Sequence, residues 1–137
     1  MRIERVVVDT RGRQVVDVTD RVLAFARAAE GDGLLHVFLA HATCGLAVIE
    51  TGAGSEGDLL AAVERLLPRD AAYAHAHGSR GHGADHVLPA FVSPSLVLPV
   101  EGGEVVLGTW QRVVIVDTNR ENDERTLVLS MLASGSA

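Results

Sequence analysis

Residues 74–86 read AHAHGSRGHGADH and hold four of the chain's six histidines, His75, His77, His82 and His86, interleaved with glycines, Arg80 and Asp85. Imidazole is a ligand for Zn²⁺, Ni²⁺, Cu²⁺ and Fe²⁺, and a catalytic zinc site commonly uses three protein ligands with one position left open. In an extended segment His75 and His77 fall on one side, because side-chain direction repeats every two residues. His86 comes where a short helix is expected to begin. The spacing matches no standard zinc pattern, so the alternative reading is a polar loop that carries surface histidines.

A fifth histidine, His41, closes one apolar run and opens the segment HATCGLAVIE. By itself it reads as a satisfied strand-end histidine, and it joins a metal site only if the fold carries it to the later histidines. Cys44 lies three residues on and so faces away from His41 in a strand, which disfavours a Cys–His nucleophile pair. As the sole cysteine it reads as a small buried hydrophobe. His36, inside a strand, reads as structural. Around Arg80, SRG and GHG could offer backbone N–H groups to an anion, yet neither GxxxxGK[ST] nor GxGxxG occurs, and turns are the simpler reading.

Further on, GTWQ carries the only tryptophan. Trp110 and Gln111 there are candidates for the wall of a ligand pocket and its polar reader. The segment VDTNRENDER places Asp117, Arg120 and Arg125 near a strand end, whereas Glu121, Asp123 and Glu124 read as a solvated turn.

The elements that must position these residues are legible from periodicity. IERVVVDT and RQVVDVTD read as strands joined by a turn at Gly12. TDRVLAFARAAEGDG suits an amphipathic helix opened by Thr19 or Asp20 and ended by the glycines at 31–33. LLHVFLAH and GLAVIET read as buried strands. EGDLLAAVERLLPRD reads as a second helix stopped by Pro68, with Ser55 and Asp58 resembling its start. GADHVLPAFVSPS suggests a short helix, and SLVLPV, EVVLG, TWQRVVIVDT and RTLVLSMLAS read as strands. The tail GSA is expected to fray. The order of strands and helices predicts one α+β domain over residues 1–137, mainly antiparallel sheets in a sandwich-like arrangement with two or three helices. So many strands in a small chain leave an edge or a sheet face uncovered, and self-association is one way to cover it.

Composition narrows the partners. The 137 residues are 47% hydrophobic and 4% aromatic, so the expected core is aliphatic. A net charge of −6 with no lysine and scattered arginines argues against a nucleic-acid partner. No apolar run approaches the roughly 20 residues of a membrane span, and a cytoplasmic location is the expectation. A small anionic substrate is compatible with one or two local arginines and backbone N–H groups.

Four segments together resemble the YjbQ-like family, also called secondary thiamine-phosphate synthases. SLVLPVEGGEVVLGTWQRVVIVD (residues 95–117) looks like its signature. HATCGLAVIE looks like its His-Thr-Thr/Ser-x-x-Leu/Ile-Thr-Ile-Asn-Glu segment, YAH looks like its Tyr-x-His, and His86 matches its later histidine. The resemblance implies a small α+β sandwich-like domain that assembles as a homotrimer and holds a divalent transition metal, zinc above all. It implies His41, His75 and His86 as ligands. It also places Glu50, Asp117 and Arg125 in catalytic positions, and Trp110 and Gln111 in the substrate pocket. From the residues themselves, Arg80 is a further candidate for holding an anionic substrate. His77 and His82 match no family position. Ile49, Thr51 and Ala53 replace polar groups of the family, and TNRENDER stands where it carries Asp-Gly-Pro-Arg.

Three functions follow from this. The first, implied by the resemblance, is thiamine-phosphate synthase-type transfer, joining a pyrimidine pyrophosphate to a thiazole phosphate with loss of pyrophosphate. The second is metal-dependent hydrolysis of a small phosphorylated metabolite, with Glu50 or Asp117 as general base. The third is a non-catalytic trimeric module that binds metal or metabolite.

Overall fold

The computed structural model describes residues 1–75 and 77–135. Among them the chain runs β1 (Arg2–Asp9), β2 (Val15–Asp17), α1 (Thr19–Ala29), β3 (Gly33–Leu39), β4 (Gly45–Ile49), α2 (Ser55–Leu66) and α3 (His82–Val87). A 3-10 turn (Leu88–Ala90) then leads to β5 (Ser95–Glu101), β6 (Glu104–Val105), β7 (Arg112–Val116) and β8 (Glu124–Ala133). Most of the expected elements are present. EVVLG shrinks to the two residues of β6, and the GSA tail falls mostly outside the described residues. Among the described residues no helix is long and apolar enough to cross a membrane.

The strands form two antiparallel sheets, β1-β8-β3-β5-β6 and β2-β7-β4. Alternation along β3 assigns the faces. Leu35, Val37 and Leu39 are fully buried, whereas Leu34 and Phe38 are exposed. The inward residues of β8, Leu127, Leu129 and Met131, continue the same layer and meet Val113, Ile115 and Leu46 from the smaller sheet, with Val22, Phe25 and Ala26 of α1 filling the side. At about 25 cal/mol per Å² of apolar surface removed from water, this aliphatic layer is the main source of cohesion.

β7 has the unbroken apolar run VVIV because the strand is covered twice. Val113 and Ile115 face the core between the sheets. Val114 and Val116 face the other way, onto Leu67, Ala84 and Leu88 beneath α2 and α3. The architecture is therefore five-stranded sheet, three-stranded sheet, then the helical layer that carries the histidines.

The helix starts differ from the sequence reading in detail. α1 begins at Thr19, but its cap comes from outside the helix: the Asp17 carboxylate accepts the Thr19 N–H at 2.9 Å. The Thr19 hydroxyl is taken instead by the Val113 N–H at 2.9 Å. α2 starts at Ser55 without a side-chain cap, after Gly54 in the left-handed region. Among the described residues nothing covers the outer face of the larger sheet. Cross-strand partners align Ile3–Ser130–His36–Val97 and Leu132–Leu34–Pro99 across four strands, and Ile3, Val7, Leu34, Phe38, Val97 and Leu132 are exposed there.

Candidate metal centre

The helical layer gathers the histidines. α3 is only six residues long, yet His82 is its first residue and His86 lies four later, so both project from one face. Their Nε2 atoms are 2.9 Å apart. His75, from the preceding loop, stacks at 4.2 Å between ring centroids on His86 and 5.1 Å on His82. One ligand atom from each of His75, His82 and His86 lies within 4.8 Å of the others. The Nδ1 of His75 is buried and has no hydrogen-bond partner among the described residues.

Such an orphan is costly in a folded protein unless something else satisfies it. A cation fits the arrangement. Three imidazoles converge, the buried Nδ1 of His75 has no partner among the described residues, and burial first and the other imidazoles second push the His75 pKa below 6.5, which favours its ligating form. His77 is exposed, with its ring 3.9 Å from that of His75. It flanks the trio.

α3 is short, so its position comes from an anchor. Asp85 is fully buried and bound by Arg69 at 2.5 Å and by the Thr118 hydroxyl at 2.7 Å. The same Arg69 donates to the carbonyls of Thr118 and Arg80, tying α3, the histidine loop and the loop after β7 together. The glycines of the loop are required by approach. Gly78 has φ 83°, and a Cβ on it would stand 2.7 Å from the His82 ring.

The loop after β7 closes on the far side of His82. Asn119 Nδ2 lies 3.3 Å and Glu121 Oε2 3.5 Å from His82 Nδ1. Glu121 also accepts the Ser79 N–H at 2.5 Å, and this hydrogen bond holds its carboxyl below the usual carboxylate range. Asn119 Oδ1 accepts from the Glu121 N–H and from Asn122 Nδ2, so the amide is fixed with its NH₂ toward His82.

The other sequence candidates lie elsewhere. His41 is not among the clustered rings. Its Nε2 accepts the Thr126 N–H at 2.8 Å, and burial first, then Arg125, pushes its pKa down. Asp117 and Arg125 form a bidentate pair at 2.7 and 2.9 Å, 3% and 1% exposed. Arg125 also donates to the Thr43 hydroxyl, and Asp117 accepts the Asn119 N–H. This pair supports the loop that reaches His82. Glu50 is exposed just after β4. Trp110 is 72% exposed in the turn before β7, and Gln111 Oε1 accepts the Gly108 N–H at 2.7 Å. Arg80 is exposed beside the histidines and, with Arg69, His75, His77 and His82, lines an open cleft of about 330 Å³.

Sequence reading set His82 aside and passed over Asp85, Asn119 and Glu121 as site residues. The available signal was His-x-x-x-His at residues 82–86, a spacing that means one helix face once a helix is expected there.

Known proteins agree with this fold. The family profile described as UPF0047 protein YjbQ-like matches residues 4–134. The UPF0047 protein Rv2556c of Mycobacterium tuberculosis is 58% identical over 125 residues, covering 91% of this chain and 93% of its own. A UPF0047 protein of Archaeoglobus fulgidus is 32% identical over 119 residues, covering 86% and 91%. Among solved structures, the hypothetical protein APE1520 of Aeropyrum pernix superposes with a TM-score of 0.85 at 30% identity, over 98% of this chain and 100% of its own. A YbjQ-like protein of unknown function from Sulfolobus solfataricus superposes with a TM-score of 0.89 at 24% identity, over 97% of each chain.

Proposed function

The chain belongs to the YjbQ-like UPF0047 family, and we propose that it is a metal-dependent enzyme acting on a small anionic substrate, with His75, His82 and His86 as the metal ligands. The observation that carries this reading is the convergence of His75, His82 and His86, together with a buried His75 Nδ1 that has no hydrogen-bond partner among the described residues. Three histidine ligands with an open position suit Zn²⁺, and a zinc ion so held supplies Lewis-acid activation of water or of a carbonyl or phosphoryl oxygen.

The chain's own groups do the rest. Asp85 and Arg69 hold α3 so that His82 and His86 point together. Arg80 stands at the cleft beside the ligands, where its guanidinium can take an anionic group in bidentate fashion. The cleft is open, so substrate reaches the centre without a large rearrangement.

Hydrolysis of a phosphorylated metabolite is the form this geometry supports best. Thiamine-phosphate synthase-type transfer is the second form, favoured by one observation: Arg80 and Arg120 line an open cleft next to the centre, together with Glu64, Arg69 and Asp70, and cationic groups of this kind stabilise a departing pyrophosphate. Zinc-loaded protein assayed against a panel of phosphate monoesters, and separately with the two thiamine precursors, tests both. Chelator-sensitive phosphate release supports hydrolysis, and coupling of the precursors supports transfer. Saturable zinc binding with neither activity returns the chain to a non-catalytic binding module.

Self-association as a homotrimer belongs to the same proposal. Its support is the apolar outer face of the five-stranded sheet, where Leu34, Phe38 and Val97 are exposed around His36. Light scattering at micromolar concentration is expected to give three chains per particle, with Phe38→Glu reducing it to one. A monomeric wild-type protein refutes the trimer.

A further inference from the structure

We propose that Asn119 and Glu121 hold opposite tautomers of His82, so that the loop after β7 sets how tightly the metal centre binds its ion. This rests on the three-histidine centre proposed above. Both groups face the same atom, Nδ1 of His82, at 3.3 and 3.5 Å, and they make opposite demands on it.

The Asn119 NH₂ can only donate, because its carbonyl oxygen is already committed to Glu121 N–H and Asn122. It therefore favours a bare Nδ1, with the proton on Nε2. That proton bridges the 2.9 Å gap to His86 Nε2, and the relay from Asn119 through His82 to His86 is closed and self-consistent. In this state His82 Nε2 is not a ligand.

Glu121 carries a carboxylate, which can only accept when ionised. It therefore favours Nδ1–H and frees Nε2 to meet the metal. A carboxylate behind a ligating histidine fixes tautomer and ring orientation, and its loss typically costs 10- to 100-fold in metal affinity. The proton is not lost on metal binding. It moves from Nε2 to Nδ1, and Glu121 receives its hydrogen bond.

Both groups come from TNRENDER, the turn after β7, and both face His82. Asn119 and Glu121 are thus positioning residues of the site.

The test titrates Zn²⁺ into full-length wild-type, Glu121→Gln and Asn119→Asp proteins in competition with a chromophoric chelator. Long-range ¹H–¹⁵N spectra of the imidazoles then report the His82 tautomer. Glu121→Gln keeps an acceptor for Ser79 N–H and is expected to bind zinc 10- to 100-fold more weakly. Asn119→Asp replaces the donor with an acceptor and is expected to bind more tightly. Metal-free wild type is expected to show Nε2–H at His82, and zinc-loaded wild type and metal-free Asn119→Asp to show Nδ1–H. An unchanged affinity in Glu121→Gln, or a metal-free wild type already in the Nδ1–H form, overturns the inference while leaving the centre intact. A wild type that takes up no zinc overturns the centre and the inference together.

Discussion

His82 and His86 stand one helical turn apart on α3 with their Nε2 atoms 2.9 Å from each other. Two imidazole nitrogens at that separation share one proton or one cation. What fixes the distance is outside the pair: Asp85, between them in sequence, is clamped by Arg69 and Thr118. A helix of six residues is too short to be stable by propensity alone, so tertiary anchoring is what holds the pair in place.

Arg125 supports this layer from below and is expected to matter for folding. Replacing Arg125 by Met leaves the Asp117 carboxylate buried without its partner and removes the donor to Thr43. Breaking a buried ion pair in this way costs about 3–5 kcal/mol. Urea denaturation measures it. The double variant Arg125→Met with Asp117→Leu is expected to recover part of the loss, and equal destabilisation by the single and double variants contradicts the account.

Cys44 is fully buried in the aliphatic core, and burial pushes its thiol pKa up to about 12. The thiolate is the reactive form. A thiol reagent at pH 8 is therefore expected to leave the native protein unmodified and to label one cysteine per chain in denaturant. Rapid labelling of the native form contradicts the placement.

His41 gives a pH dependence with a definite sign. Burial first, and Arg125 second, hold its folded pKa below 6.5. Between the folded and unfolded values the unfolded chain binds the proton and the folded chain does not, so stability is full above about pH 6.5 and falls as the solution is acidified. His75 acts in the same direction. His41→Gln keeps an acceptor for the Thr126 N–H and is expected to lessen the acid loss of the urea midpoint. A pH profile unchanged by that substitution counts against His41 as a contributor.

The sequence made the layers legible because burial imprints a period. The alternation in β3 and the double-sided apolar run of β7 are both written in residue type. The site was less legible. His75 and His86 stood out by residue type, but the reading joined them to His41, whose strand-end place does not reveal where its ring points. His82 was set aside because it matches no position of the family the chain resembles, and the αL turn at Gly81 that starts α3 there is a tertiary fact. Glu121 looked like any charged turn residue, since nothing local marks the 42-residue jump to Ser79.

The most direct measurement is zinc content and affinity of tag-free wild type beside His82→Ala and His41→Ala. One tightly held ion per chain, lost in His82→Ala and retained in His41→Ala, is the expected result. An ion lost in His41→Ala and retained in His82→Ala, or no ion in the wild type after incubation with zinc, contradicts the three-histidine centre.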